Sequence, residues 1–194
     1  MKTLVLATRN AGKVRELQSM LGPLGYSVIT AAEAGYHEEP EETGKTFREN
    51  AHLKARAVAA HVPHAVLADD SGLEVEALGG APGLYSARYA GPKATDAENR
   101  EKLLRELGSN ANRKARFVCA LCWLEPNMSA QFFESECRGR VTSEPKGTLG
   151  FGYDPILIPE GHTRTFAEMP EDEKNPMSHR GKAVKALLEW LKSR

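Results

Sequence analysis

Short apolar runs alternate along this chain with amphipathic segments, an order that is typical of an α/β protein. Strands are predicted where short apolar runs are bounded by turn residues, over residues 3–7, 27–30, 65–68, 115–124 and 131–141. Helices, counted with their caps, are predicted where apolar residues recur every three or four positions, over residues 13–21, 46–60, 95–108 and 178–192. We therefore expect a mixed α/β fold.

Cap and turn residues mark where these elements begin and end. Thr46 and Thr95 each stand three residues before a glutamate, which is the pattern of a capping box at a helix start. Pro126 and Asn127 predict the turn between the two longest strands. Gly-rich segments predict long loops over residues 78–91 and 147–154.

A pair of carboxylates, Asp69 and Asp70, directly follows the apolar run 65–68, and Gly72 comes two residues later. The pattern predicts a buried strand that ends in an acidic turn, because glycine lets the backbone bend sharply. Adjacent carboxylates repel each other, so such a pair needs a cation nearby or has one member protonated. The alternative is a strand-end turn whose carboxylates are solvated.

The junction between the first strand and the first helix has the composition of an anion site. Free backbone N–H groups and the helix dipole favour a negative charge there, and Thr8, Asn10, Gly12 and Lys13 add hydrogen-bond donors, close approach and a positive charge. The spacing is not that of a P-loop. An ordinary helix-capping turn remains the alternative at this stage.

The second helix and the loop before it carry further charged candidates. Asn50 and Lys54 are four residues apart and so share one helix face. Glu41 or Glu42 from the acidic loop could approach the aspartate pair. Oxygen ligands of this kind suit Mg²⁺ together with substrate phosphates. Lys54 could reach a substrate phosphate, but in isolation the position favours a solvated helix lysine.

Two C-terminal motifs suggest recognition of a flat ring. Phe151 and Tyr153 alternate with glycines and lead to Asp154, and an exposed ring beside glycine can stack on a base. His179 and Arg180 stand at the start of the last helix. Because cations are unfavourable at that end of a helix dipole, a compensating contact with a ligand is expected. The alternative for the aromatic motif is a Gly-rich turn with core rings.

Bulk composition narrows the class of protein. The chain has 194 residues with 26 basic and 26 acidic side chains, so a general basic surface for nucleic acid is not expected. No apolar run reaches the roughly 20 residues of a membrane span. Three cysteines give no disulfide framework, and Cys119 and Cys122 lie in an apolar strand. We expect buried thiols in a cytoplasmic protein without membrane or nucleic-acid partners.

Taken together, these motifs resemble the inosine triphosphate pyrophosphatase family. The resemblance runs in order along nearly the whole chain. It rests on residues 7–13, 42–51, 68–73, 79–88, 150–155 and 178–181. It implies a single two-lobed domain over residues 1–194, with a long twisted mixed sheet and a central substrate cleft. It also implies a homodimer, dependence on Mg²⁺, and hydrolysis of dITP, ITP and XTP to the monophosphate and pyrophosphate.

The resemblance also implies a role for each site residue. Asp70 would activate water as the catalytic base, with Asp69 as the alternative, and Glu41 and Asp70 would bind the metal. The remaining positions would hold the substrate: Thr8, Arg9, Asn10, Ala11, Gly12 and Lys13 at the triphosphate, where Lys54 is the candidate from helix spacing, and Ser71, Phe151, Gly152, Tyr153, Asp154, Lys174, His179 and Arg180 at the nucleoside. The alternatives are a regulatory protein that binds nucleotide without hydrolysis and a pyrophosphatase for modified pyrimidine nucleotides.

Overall fold

The computed structural model describes residues 2–126 and 128–194, so Asn127 of the predicted turn lies outside the described residues. The strands are β1 Lys2–Ala7, β2 Tyr26–Thr30, β3 Ala65–Val75, β4 Lys114–Leu124, β5 Gln131–Val141 and β6 Leu157–Pro159. The α-helices are α1 Ala11–Leu21, α2 Phe47–Ala59, α3 Asp96–Leu107, α4 Glu171–Met177 and α5 His179–Lys192. These elements confirm the mixed α/β prediction.

The strands pair in the order β2-β1-β3-β4-β5-β6. β1 is parallel to β2, with Leu4 opposite Val28, and parallel to β3, with Leu6 opposite Leu67. β6 is antiparallel to β5. The sheet is therefore mixed. In the parallel part of the sheet, β1 ends just before the turn that leads into α1. The carboxyl ends of parallel strands are where α/β proteins commonly bind ligands.

The chain divides into two compact units. Unit 1 comprises residues 2–70, 119–134 and 183–194 without Asn127, and unit 2 comprises residues 71–118 and 135–182. The unit 1 core includes Leu4, Leu6, Leu17, Leu67, Leu121, Ala183 and Leu187. The unit 2 core includes Leu73, Val75, Leu103, Phe117, Ile156, Phe166 and Met169. The single two-lobed domain with a central cleft stays a prediction.

The prediction that a strand ends at the aspartate pair is wrong. Asp69 and Asp70 lie in the middle of β3, which continues to Val75. Beyond Gly72, the buried residues Leu73 and Val75 resume the two-residue alternation of a strand. Gly72 permits a turn but does not require one. The carboxylates of Asp69 and Asp70 are tolerated in the strand because Lys13 and Lys54 pair with them.

Helix caps follow the sequence closely. Thr95 forms a complete capping box with Glu98. At α2, the side chain of Thr46 accepts from the Glu49 N–H at 3.1 Å, but the Glu49 carboxylate accepts from the Lys45 N–H at 2.6 Å, so only half of the predicted box is present. The three cysteines are free and buried, as expected. No helix in the described part of the chain is long and apolar enough to cross a membrane.

Candidate active site

The turn after β1 presents the N-terminus of α1. Asn10 is the N-cap, and its side chain accepts from the Lys13 N–H at 3.0 Å. Thr8 Oγ1 accepts from the Asn10 N–H at 3.3 Å and shapes the turn. The first N–H groups of a helix have no carbonyl partner inside it, and they carry the positive end of the helix dipole. The turn is thus a capped helix start, as the alternative interpretation expected, and its use as an anion site stays a prediction.

Lys13 reaches from this turn to a buried carboxylate. Its Nζ lies 2.5 Å from Oδ1 of Asp69 and donates to the Asp69 carbonyl at 3.4 Å. The thiol of Cys119 donates to Asp69 Oδ2 at 3.6 Å. Because the Asp69 side chain is fully buried, this carboxylate fixes the position of the lysine ammonium at the head of α1.

The second lysine, Lys54 of α2, pairs with the second aspartate. Its Nζ lies 2.7 Å from Asp70 Oδ1 and 2.6 Å from Glu42 Oε1. Burial lowers the pKa of Lys54, but the two carboxylates outweigh burial and raise its pKa above the ordinary value. Lys54 is therefore held as a cation. The solvated lysine, which the sequence favoured for this position, is wrong, because Lys54 pairs with two carboxylates; its contact with a phosphate stays a prediction.

The environment of Asp70 suits a carboxylate that exchanges a proton. Burial raises the pKa of Asp70 above its ordinary value, while Lys54 and Lys13 oppose the rise. Asp69 and Asp70 are consecutive in β3, so their side chains point to opposite faces of the strand. The Asp69 carboxylate pairs with Lys13 and the Asp70 carboxylate pairs with Lys54, while Lys13 also acts on Asp70 through its charge. The two lysines together offset the repulsion between the carboxylates.

The acidic loop brings Glu42, rather than Glu41, to this cluster. Glu41 is exposed, whereas Glu42 is partly buried against Lys54. Arg9 turns toward the same loop, where it pairs with Glu39 at 3.2 Å and donates to the His37 carbonyl. Within residues 2–126 and 128–194, no three His, Cys, Asp or Glu side chains form a group that could hold a metal ion.

A second cluster lies in unit 2, around the carboxylate of Asp154. Its Oδ2 accepts from Lys174 Nζ at 2.6 Å and from the Phe151 N–H at 3.0 Å. Gly150 has a φ of +72°, and a Cβ there would lie 2.1 Å from Asp154 Oδ2. Glycine is therefore required for the loop to close around this carboxylate.

Arg180 and Lys174 both face the ring of Phe151. The Arg180 guanidinium carbon is 5.5 Å from the ring centroid and Lys174 Nζ is 5.3 Å from it. Arg180 is almost fully buried and donates to Ser71 Oγ at 2.9 Å. Phe151, Lys174, Arg180, Ser71 and Asp154 thus form one cluster. Its aromatic ring can stack on a flat ring, and its two cations can donate hydrogen bonds to the edge of that ring.

The remaining predicted nucleoside residues point elsewhere. His179 stacks on Phe117 with ring centroids 4.6 Å apart and planes 14° apart. The Tyr153 hydroxyl donates to the Ser86 carbonyl at 2.8 Å, and burial raises the pKa of Tyr153 so that it stays protonated. Tyr153 therefore anchors the loop and does not present its ring with Phe151.

Sequence reasoning missed four residues that contact the site residues. Cys119 holds Asp69, Phe117 packs on His179, and Asp96 and Arg100 of α3 bind the Gly152 peptide. These contacts join segments that are 50 to 62 residues apart, so no local periodicity could reveal them.

A comparison with known proteins identifies the family of this chain. The model of the Ham1 family matches residues 4–190. The chain belongs to the Ham1 family. This membership confirms the resemblance from which the pyrophosphatase fold and the site residues were predicted.

Two curated relatives and one solved structure match this chain over nearly their whole length. A dITP/XTP pyrophosphatase of Halalkalibacterium halodurans is 48% identical over 98% of this chain and 100% of its own. A dITP/XTP pyrophosphatase of Bacillus subtilis is 49% identical over 100% of this chain and 98% of its own. The solved HAM1 protein of Coxiella burnetii superposes with a TM-score of 0.89 and 41% identity, covering 100% of both chains.

Proposed function

We propose that this Ham1-family chain hydrolyses the non-standard purine nucleoside triphosphates dITP, XTP and ITP to the monophosphate and pyrophosphate. The observation that carries the proposal is the pair of buried contacts Lys13–Asp69 and Lys54–Asp70 at the head of α1. These contacts hold the ammonium groups of Lys13 and Lys54 in positions that suit a bound polyphosphate. Full-length relatives named dITP/XTP pyrophosphatases support the same activity.

The triphosphate is bound by the turn Thr8–Lys13. The N–H groups at the start of α1 donate to phosphate oxygens, and the helix dipole adds to this attraction. Lys13 supplies a positive charge whose position Asp69 already fixes. Because the ammonium group is oriented before substrate arrives, little ordering is left for the binding step.

Asp70 acts as the base that takes a proton from the attacking water. The water oxygen forms a bond to the α-phosphorus, the bond from that phosphorus to the bridging oxygen breaks, and pyrophosphate leaves. A pKa raised by burial makes Asp70 a stronger base than a solvated aspartate. Lys54 lies within 2.7 Å and holds the carboxylate in one orientation.

A divalent cation, which we take to be Mg²⁺, completes the site. The donor set fits, because the carboxylates of Asp70 and Glu42 converge on one ammonium group and Mg²⁺ is usually held by one or two carboxylates with substrate phosphates. The Glu42 carboxylate lies 2.6 Å from Lys54 Nζ, so Glu42 is proposed as the acidic-loop ligand in place of Glu41. When bound, such an ion neutralises phosphate charge and acidifies water.

The unit 2 cluster recognises the base. Phe151 stacks on the purine, and Arg180 donates to the C6 carbonyl that hypoxanthine and xanthine share; His179, predicted as the alternative donor, stacks on Phe117 instead. Adenine carries an amino group at C6, so a buried donor would face another donor. Unpaired buried polar groups give strong discrimination between substrates.

We further propose that the chain acts as a homodimer in the cytoplasm, with the nucleotide as its ligand and without nucleic-acid or membrane partners. Free buried cysteines suit a reducing compartment. A balance of 26 basic and 26 acidic side chains leaves no general excess of positive charge for nucleic acid.

Product analysis tests the proposed function. Purified protein is incubated with Mg²⁺ and dITP, XTP, dATP or dGTP, with and without added inorganic pyrophosphatase. We expect orthophosphate from dITP and XTP only in the coupled reactions, and little product from dATP and dGTP.

Other outcomes would identify the alternatives. Orthophosphate without the coupling enzyme would indicate a phosphatase. Turnover of modified pyrimidine triphosphates in place of dITP would indicate the pyrimidine pyrophosphatase. Tight dITP binding without any product would indicate a regulatory nucleotide-binding protein.

A further inference from the structure

Two charged side chains of α3 bind the backbone of one residue in the aromatic loop, Gly152. Arg100 Nη1 donates to the carbonyl of Gly152 at 2.6 Å, and Asp96 Oδ2 accepts from the N–H of Gly152 at 2.7 Å. Asp96 and Arg100 are four residues apart, so they lie on one face of the helix. The helix α3 therefore binds both the N–H and the C=O of Gly152, which belong to the peptide groups on either side of its Cα.

The hydrogen bonds from Gly152 to Asp96 and from Arg100 to Gly152 each have one ionised partner. A hydrogen bond with one ionised partner is shorter and stronger than one between neutral groups.

Gly152 is covalently next to the residue that presents the stacking ring. Phe151 is held from inside the loop by its N–H bond to Asp154, and its ring faces Lys174 and Arg180. A shift of the Gly152 peptide would move this ring against both cations. The two hydrogen bonds from α3 thus fix the position of the Phe151 ring relative to Lys174 and Arg180, although neither α3 side chain is part of that cluster.

We propose that Asp96 and Arg100 are positioning residues for base recognition, acting through the Gly152 peptide on the ring of Phe151. The inference rests on the proposed function, since it assigns these residues to the nucleoside part of the same site. Both contacts join residues of unit 2, and neither side chain is among those proposed to bind the triphosphate. Their loss therefore changes substrate affinity and base selectivity more than the chemical step.

Steady-state kinetics of Arg100→Ala and Asp96→Ala with dITP and dATP test this proposal. For each variant we expect KM for dITP to rise about 10-fold, as when a charge-assisted bond no longer fixes a binding loop, with kcat within about 2-fold. The ratio of kcat/KM for dITP to that for dATP should fall. Arg100→Lys, which keeps a charged donor, should restore part of the loss.

Arg105→Ala is the matched control, because Arg105 is an exposed arginine of the same helix; its kinetics should match the wild type. An unchanged KM in both test variants would overturn the proposal. So would equal losses for dITP and dATP that follow a lower melting temperature, which indicate a general structural role. If Arg100→Ala does not fold, Asp96→Ala alone tests the proposal with the same expected result, because Asp96 is exposed.

The failure of the proposed function is distinguishable from the failure of this inference. A wild-type protein that does not hydrolyse dITP contradicts the function itself. A wild-type protein that hydrolyses dITP selectively, beside variants with unaltered KM and selectivity, contradicts only the role of α3.

Discussion

Lys54 donates to Asp70 with 2.7 Å between Nζ and Oδ1, and the same ammonium group lies 2.6 Å from Oε1 of Glu42. One cation thus joins a carboxylate from the middle of β3 to one from the acidic loop. Lys13 pairs separately with Asp69. The two adjacent aspartates therefore have different partners, and this difference separates their proposed roles.

Replacing each aspartate with asparagine should give two different results. Asp70→Asn removes the base, and we expect kcat to fall about 100-fold or more, with stability near the wild type because Lys54 keeps Glu42. Asp69→Asn leaves the buried Lys13 without its carboxylate, at a cost of about 3 kcal/mol, and should raise KM. Kinetics and chemical denaturation measure both. Near-normal turnover in Asp70→Asn would show that Asp70 is not the base.

Glu41→Gln and Glu42→Gln form a matched pair in neighbouring positions. Glu42 contacts Lys54, so its replacement should raise the Mg²⁺ concentration required for half-maximal activity. Glu41→Gln should leave that requirement unchanged, since Glu41 is exposed. Activity titrated with Mg²⁺ after removal of metal by a chelator provides the measurement. The reverse pattern would favour Glu41, as the family resemblance implies.

Arg180→Ala should reduce turnover of dITP more than that of dATP. The guanidinium is buried beside Phe151 and donates to Ser71, so it is placed to read a base edge. We expect kcat/KM for dITP to fall about 100-fold or more, the scale on which a lost polar readout changes specificity. Initial rates with both substrates provide the test, and an equal loss for the two would contradict the readout model.

Stability at α3 should depend on pH through Glu98. The N–H and hydroxyl of Thr95 hold the pKa of Glu98 below its ordinary value. An acid with a lowered pKa in the folded state contributes stability above its unfolded pKa and loses it as pH falls through the folded pKa. Glu98→Gln should therefore be less stable than the wild type at neutral pH, and the difference should shrink below about pH 4. Urea denaturation across pH measures it; a constant difference would contradict this cause.

Periodicity predicted most of the regular structure. Apolar spacing located α1, α2, α3 and α5, and Thr46 and Thr95 marked two helix starts correctly. The β3 strand was predicted too short because its polar pair breaks the apolar run, and only the tertiary contacts with Lys13 and Lys54 explain why it continues. The short helix α4 carries Pro176, and β6 has three residues, so neither produces a clear pattern.

The candidate site was predictable only where a motif is local. The turn Thr8–Lys13 and the 151–154 loop are contiguous, so their residue types indicated a ligand. Glu41 and Glu42 are neighbours in a loop without periodicity, and no sequence rule tells which one meets Lys54. The contacts of Arg100 and Cys119 depend on how distant segments pack.

Hydrolysis of dITP in ¹⁸O-labelled water tests the central claim most directly. Mass spectrometry of the products shows which phosphorus atom the water attacked. The account predicts one ¹⁸O atom in the monophosphate and none in the pyrophosphate. Label in the pyrophosphate, or orthophosphate as the first product, would contradict attack at the α-phosphorus.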